Sequence, residues 1–325
     1  MRDGDAATAW QRVPGDGGEA GRTARDGIGQ ADRVSPLVLI ATCQEIPDLD
    51  DDAQVLRRAL RQRGLDAEPA VWDDGSVAWA EADLVLVRTT WDYSPRHAEF
   101  LAWARRVAGL TRLHNAPEVL AWSSDKHYLL DLAADGLPVV DSRVLEVEDG
   151  PGHGFADVEH VVKPTVSAGS KDTYRIDAGD TDRSRRAVEA IHASGRAALV
   201  QPYLAEVDEH GETALLFADG VFSHGMRKGP LLRPGHDAAQ VDGLFLQEEM
   251  SERDPSHEER RVADRVMEAV VRRFGSAPLY ARVDLLPSPD GPQVLEVELV
   301  EPSLFLEHVP AAAAAFVEAV ERRIS

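Results

Sequence analysis

Two short segments near the end of the chain constrain its fold most. Leu279-Tyr280-Ala281-Arg282-Val283-Asp284-Leu285-Leu286 and Val294-Leu295-Glu296-Val297-Glu298-Leu299 alternate apolar and charged side chains, and Pro287-Ser288-Pro289-Asp290-Gly291-Pro292 separates them. Alternation with period two marks a strand with one buried face, and the turn-forming residues between the runs make the pair a hairpin. Symmetric pairing about the loop sets Asp284 opposite Glu296 and Arg282 opposite Glu298. These four then share one face, while Val283, Leu285, Leu295, Val297 and Leu299 share the other. Three carboxylates around one arginine repel each other unless a further cation joins them. Magnesium suits such oxygens and keeps coordination positions for phosphate. A solvated hairpin face would show the same alternation, so the other motifs must decide.

Two lysines offer the complementary charge. Lys163 stands in Val161-Val162-Lys163-Pro164, where an apolar strand carries a lone cation that needs an anionic partner once buried. Lys126 is expected in the first turn of a helix over Asp125 to Asp135, with Ser124 as N-cap and Gly136 and Pro138 closing it. A cation there is unfavourable to the helix dipole unless an anion binds as well. Taken singly, each lysine also fits a surface role. After Lys163 comes a loop of small residues, Thr165 to Thr173, including Ser167, Ala168, Gly169 and Ser170. Its amides could fold over phosphates, although it matches neither common glycine-rich pattern. Val200-Gln201-Pro202-Tyr203-Leu204 ends a strand before an acidic turn, a suitable hinge for an adenine ring.

At 325 residues the chain exceeds one average domain, and two or three lobes are expected. Residues 1–35 read as a disordered extension, rich in Gly, Asp, Arg and Ala without apolar periodicity. A strand over Pro36 to Thr42, a helix over Asp50 to Arg63, a strand over Asp83 to Arg88 and a helix over Arg96 to Ala108 then predict a small open α/β lobe with parallel strands. Ligands lie beyond the carboxyl ends of such strands, which places Arg88 to Tyr93 at a cleft. There Arg88, Thr90 and Asp92 offer a cation, a hydroxyl and an anion, a set suited to an amino-acid-like zwitterion with Arg88 on its carboxylate and Asp92 on its ammonium. An Arg88–Asp92 pair that merely ties down the loop is the competing reading. Strands at His160 to Pro164, Ala197 to Leu204, Glu212 to Ala218 and Val221 to Met226 predict an antiparallel second lobe. A helix over Ser256 to Phe274, the hairpin and a last helix over Pro310 to Arg323 complete it. The fold class is α/β, with α+β lobes.

The formal charge of -22 repels phosphate backbones, which argues against nucleic acid or an anionic membrane as partner. No apolar run approaches membrane-spanning length, so a cytoplasmic location is expected. The single cysteine, Cys43, reads as a small buried residue, and the eleven histidines form no zinc pattern. A homodimer is compatible with all of this.

In order and spacing, Asp125-Lys126, Val162-Lys163-Pro164, the small-residue loop, Val200 to Leu204, Arg282-Val283-Asp284 and Glu296-Val297-Glu298 resemble the ATP-grasp superfamily over residues 36–325. Val87-Arg88-Thr89-Thr90-Trp91-Asp92-Tyr93, Ser223-His224-Gly225-Met226-Arg227-Lys228 and Glu301-Pro302-Ser303-Leu304-Phe305 are similar to the O-ureido-serine cyclo-ligases of cycloserine biosynthesis and their actinobacterial relatives. The resemblance implies an ATP-grasp fold, with a pre-ATP-grasp α/β domain over 36–120 and an ATP-grasp domain over 121–325. The latter divides into a small ATP lobe, 137–206, and a large metal-binding lobe, 207–325. It implies ATP with two magnesium ions, manganese being an alternative, held by Asp284, Glu296 and Glu298. Lys126 and Lys163 would hold the phosphates under Ser167, Ala168, Gly169 and Ser170. Gln201, Tyr203 and Leu204 would border adenine, with Glu206 or Glu212 at the ribose. Arg282 and Lys228 are the expected catalytic cations, and Ser303 joins Arg88, Thr90 and Asp92 at the substrate. Many members carry asparagine where this chain has Glu298, and Pro202 replaces the usual hinge glutamate. The implied activity is a ligase that phosphorylates a carboxyl or ureido oxygen and lets nitrogen displace the phosphate. A small-molecule kinase of the same fold and a non-catalytic nucleotide-binding protein are the alternatives.

Overall fold

The structure, a computed structural model, describes residues 35–169, 171–230, 232 and 249–325. The expected disordered extension, all but its last residue, and Ser170 lie outside the described residues. The first sheet begins with β1 (Leu37–Thr42), an almost wholly buried apolar run. Asp50 then caps α1 (Asp51–Gln62) by accepting the Ala53 amide at 2.8 Å, and Leu56 and Leu60 bury one side of this helix. Gly64, at φ 82°, ends it in the left-handed region that favours glycine. With β2 (Asp66–Val71), β3 (Leu84–Thr89), α2 (His97–Ala108) and β4 (Arg112–His114), these elements build a parallel sheet of order β2-β1-β3-β4. The parallel α/β unit expected over this stretch is present. Its strands β2 and β4 escaped the periodicity because one contains Asp66, Glu68 and Pro69 and the other has three residues. Trp72, Tyr93, Phe100 and Trp103 interlock under α2, ring centroids 5.1–5.9 Å apart.

The next segment corrects the expectation for Lys126. Ser124 closes α3 (Pro117–Ser123) instead of opening a helix, and α4 (Tyr128–Ala134) starts only after an Asp125–His127 turn. The Lys126 amide donates to Thr165 O at 2.9 Å, so the turn is spent on a strand end and not on a helical bond. Lys126 therefore escapes the helix-dipole penalty. The second sheet holds β5 (Arg143–Leu145), β6 (His160–Pro164), β7 (Tyr174–Ile176) and β8 (Ala198–Pro202), antiparallel in the order β5-β8-β6-β7. A helix not expected from the sequence, α5 (Thr181–Ala193), covers it with Ala187, Val188 and Ile191 against Val162, Ile176 and Val200.

A short helix, α6 (Val207–His210), leads to the third sheet: β9 (Glu212–Ala218), β10 (Val221–Lys228), β11 (Met250–Glu252), β12 (Tyr280–Leu286) and β13 (Gln293–Glu298). Its order is β11-β10-β9-β12-β13, with antiparallel pairing throughout. Strand β10 runs past its expected end at Met226 and so carries Lys228. Gly211, at φ 71°, lies so close to this strand that a Cβ would sit 2.3 Å from Lys228 O. Helix α7 (His257–Phe274) opens with a Ser256–Glu259 capping box and packs Val262, Val266 and Val270 on the inner face of the β12–β13 hairpin. The last helix, α8 (Ala313–Ile324), packs beside α1. No helix among the described residues is long and apolar enough to cross a membrane.

The hairpin register pairs Arg282 with Glu298 and Asp284 with Glu296, as symmetric pairing predicts. Beyond Asp284 the register shifts, and Leu285 pairs with Val294. This bulge puts fully buried Val294 in the core and turns Leu295 to the opposite side, correcting the expected inward position of Leu295. Two polar residues tie the hairpin to the first sheet. Tyr280 Oη lies 2.7 Å from Val87 O and 2.8 Å from His114 O. The Asn115 amide donates to Leu299 O and Tyr280 O at 2.7 and 3.0 Å and accepts from Leu279 N at 2.7 Å.

Candidate functional site

One cavity of about 760 Å³ is lined from all three sheets: by Arg88 at the end of β3, Lys163 on β6, Gln201 on β8, Lys228 on β10, and Arg282 and Glu296 on the hairpin. Five cations, Arg88, Lys126, Lys163, Lys228 and Arg282, face this space in a chain of net charge -22. The carboxylates Asp50, Glu212, Glu296, Glu298, Glu301 and Glu307 line the same space, and cations and acids set side by side in this way suit a polyphosphate bound together with divalent metal.

On the hairpin, ligand oxygens of Asp284, Glu296 and Glu298 lie within 4.8 Å of one another. Asp284 is buried, and Arg282 Nε and Nη2 each reach it at 2.9 Å, while Lys228 Nζ reaches it at 3.0 Å. Burial raises the Asp284 carboxyl, but Arg282 and Lys228 outweigh it and hold the group below the ordinary carboxylate range. Glu296 follows the same pattern, with Lys126 at 3.0 Å and Lys163 as the lowering charges. Glu298 does not. It bonds Arg282, yet burial and its crowding by Glu296 and Asp284 push its carboxyl up to about 7. A trio whose third member is held this close to neutrality has room for more positive charge, and its all-oxygen donors fit a hard divalent ion such as magnesium or manganese.

Lys163 is 8% exposed and makes no hydrogen bond or ion pair among the described residues. Burial lowers it to about 8, with Glu296 opposing. An unpartnered buried ammonium opening onto a cavity calls for an anion. Lys126 Nζ is within 3.3 Å of Ser167 Oγ, so the small-residue loop and both lysines converge. Ser167, Ala168 and Gly169 line the cavity, and Gly169 adopts φ 63°.

At the other side lies a largely apolar slot. Leu204, Val140, Val161, Leu286 and Leu295 wall it, with Gln201 and Tyr203 at its edge. Gln201 is held by Ser142 at 3.0 Å, and the Arg175 guanidinium stacks 3.5 Å over the Tyr203 ring. Of the two acids considered for a ribose, Glu212 lines the cavity, ion-paired with Lys228 at 2.8 Å, whereas Glu206 does not.

Placement of the substrate residues departs from expectation in part. Arg88 and Ser303 line the cavity. Thr90 is buried and Asp92 is turned elsewhere, taking Trp72 Nε1 at 2.7 Å and Arg96 Nη1 at 3.0 Å; neither residue lines the space. Asp92 is thus part of a structural network under α2, and Arg88 pairs with Asp52 instead. His224 likewise stays out, reaching Leu304 O at 2.9 Å. Sequence reasoning missed Asp50, Glu301 and the slot residues Leu286 and Leu295. Glu301 stood in a motif already singled out, but no periodicity says where a residue beyond the last strand points. Burial and Glu298 push the Glu301 carboxyl well above its ordinary range, although Arg88 and Arg282 oppose this.

Comparison with known proteins gives the family and the fold. Residues 38–115 match the family model of the N-terminal domain of D-cycloserine synthetase DcsG. The cycloserine biosynthesis protein DcsG of Streptomyces lavendulae is 37% identical over 299 residues, which is 89% of this chain and 98% of that protein. A crystal structure of D-cycloserine synthetase DcsG, 36% identical, superposes with a TM-score of 0.79 over 89% of this chain and 100% of its own. The D-alanine–D-alanine ligase of Bacillus anthracis, solved with ATP, shares the fold at 13% identity and a TM-score of 0.63, over 89% of this chain and 97% of its own. The chain belongs to the family of the D-cycloserine synthetase DcsG, and it has the fold of ATP-grasp ligases.

Proposed function

We propose that this ligase binds ATP with two magnesium ions and phosphorylates a carboxyl or ureido oxygen of an amino-acid-like substrate, which a nitrogen then attacks. The observation that carries the reading is the convergence in one cavity of Glu296 and Glu298, whose ligand oxygens lie within 4.8 Å of buried Asp284, with Lys163, which has no partner among the described residues, and the apolar slot. Adenine fits the slot between Leu204 and Leu295, and Lys126 and Lys163 take phosphate oxygens. Asp284, Glu296 and Glu298 would hold the metal ions, which would supply neutralising charge at the phosphates. Arg282, on the same face, stabilises charge as the substrate oxygen bonds the γ-phosphorus and the bond to ADP breaks. Nitrogen next bonds the activated carbon, phosphate departs with the electron pair, and the nitrogen gives its proton to phosphate or water. No side chain becomes covalently attached. The reading places the protein in the cytoplasm, with a small molecule as partner and neither nucleic acid nor membrane.

A screen of amino acids and ureido compounds for ATP-dependent phosphate release, followed by ³¹P NMR and mass spectrometry, tests it. ADP and free phosphate are expected. AMP with pyrophosphate would show adenylation instead, and a stable phosphate ester without free phosphate would show a kinase.

A further inference from the structure

We propose that Ser142 decides which purine nucleotide the site accepts, by fixing the orientation of the Gln201 side-chain amide at the edge of the apolar slot. The inference rests on the reading of that slot as a base site, and it gives a positioning role to a residue that does not itself line the cavity. Ser142 precedes β5, and one step beyond the Arg143–Val200 pair it stands opposite Gln201 on β8. Both side chains are buried, Ser142 at 7% exposure and Gln201 at 2%.

Which end of the amide faces Ser142 follows from counting protons. Ser142 Oγ lies 2.7 Å from Val140 O, and a carbonyl oxygen can only accept, so the single hydroxyl proton is spent on Val140. Toward Gln201, 3.0 Å away, Ser142 Oγ must then be the acceptor, and only the amide nitrogen can donate to it. Nε2 is thus turned to Ser142. The reverse orientation would set Oε1 against Oγ with no proton between them. Oε1 and one N–H of Gln201 are left over, without a hydrogen-bond partner among the described residues, on a side chain that lines the cavity.

A free edge of one acceptor and one donor complements adenine, whose 6-amino group donates and whose N7 accepts. A 6-oxo purine offers acceptors at both places. Its O6 would meet Oε1 with no proton to share, which leaves two desolvated oxygens unsatisfied. Tyr203, the other polar side chain at the slot edge, cannot make up the loss, because its hydroxyl proton goes to Asp208 at 2.5 Å. Orientation is therefore what discriminates: with the amide turned over, Nε2 would meet O6 and the preference would vanish. Held by buried hydrogen bonds, the amide needs no reordering when adenine arrives.

The test uses the full chain with magnesium and compares ATP with ITP, whose base carries a 6-oxo group and a proton on N1. Calorimetry gives the dissociation constants for the wild type, Ser142→Ala and Ser142→Thr, with melting temperatures recorded in parallel. ITP should bind the wild type about 10- to 100-fold more weakly than ATP, as a buried hydrogen bond left unmade requires. Ser142→Ala frees the amide to turn, so this ratio should fall below about threefold, while ATP itself weakens less than about tenfold. Ser142→Thr keeps the hydroxyl and should hold the ratio within about twofold of the wild type. An unchanged ratio in folded Ser142→Ala, equal weakening of both nucleotides included, overturns the inference and leaves the ligase reading intact. So does a wild type that binds ITP as tightly as ATP, whatever the variants do. Binding of neither nucleotide by the wild type overturns the reading of the slot and this inference together.

Discussion

Lys126 Nζ lies 3.0 Å from Glu296 Oε1, joining a turn after α3 to the β12–β13 hairpin. The cation proposed for phosphate and the carboxylate proposed for metal thus neutralise each other, and on that reading both exchange partners when magnesium-ATP enters. Lys126→Ala should weaken magnesium-ATP binding about 10- to 100-fold, the range of a charge-assisted hydrogen bond. Glu296→Ala should abolish its magnesium dependence. Calorimetry with ATP, with and without magnesium, reads both; undiminished magnesium-linked affinity in Glu296→Ala would remove the metal assignment.

Glu298→Asn separates ligation from charge. The substitution keeps an oxygen donor while removing the carboxyl that burial, Glu296 and Asp284 push to about 7. Magnesium-ATP affinity should change less than about tenfold, while Glu298→Ala should lose more. Equal losses in the two variants would show that Glu298 acts through its charge alone.

Asn115 joins the first sheet to the hairpin with three buried hydrogen bonds. Asn115→Ala leaves two carbonyls and an amide without partners and should cost about 2–4 kcal/mol in urea unfolding, at about 1–3 kcal/mol for each unmet buried group and partial rehydration. A change below about 0.5 kcal/mol would show that water replaces the side chain.

Burial, aided by Arg323 and Arg112 and opposed by Asp219, lowers His114 to about 4 from an ordinary 6.5. Between these values the unfolded chain binds the proton that the folded chain rejects. The stabilising contribution of neutral His114 is therefore complete above about pH 6.5 and is lost as pH falls toward 4. His114→Gln should flatten the loss of stability between pH 6.5 and 4.5 by about 2 kcal/mol, from 1.36 kcal/mol per unit. Parallel slopes for the two proteins would refute this.

The candidate metal site was legible in the sequence because a hairpin is local: alternation and a turn suffice to set Asp284 against Glu296 and Arg282 against Glu298. Lys163 was legible for a similar reason, as a lone charge in an apolar strand. Cys43 is buried, as its type alone suggests. Where the chain leaves regular structure, this logic stops. The bulge that turns Leu295 into the apolar slot depends on how β12 and β13 settle against α7, and no residue type announces it. The Thr165 carbonyl that draws Lys126 out of a helix comes from a distant strand. At the substrate end, Arg88, Thr90 and Asp92 are neighbours in sequence, yet only Arg88 opens to the cavity, because Trp72 and Arg96 compete for Asp92. Local pattern thus determined which residues carry charge on a common strand face. Which charges meet across sheets was decided by long-range packing, since partners far apart in sequence leave no periodic trace.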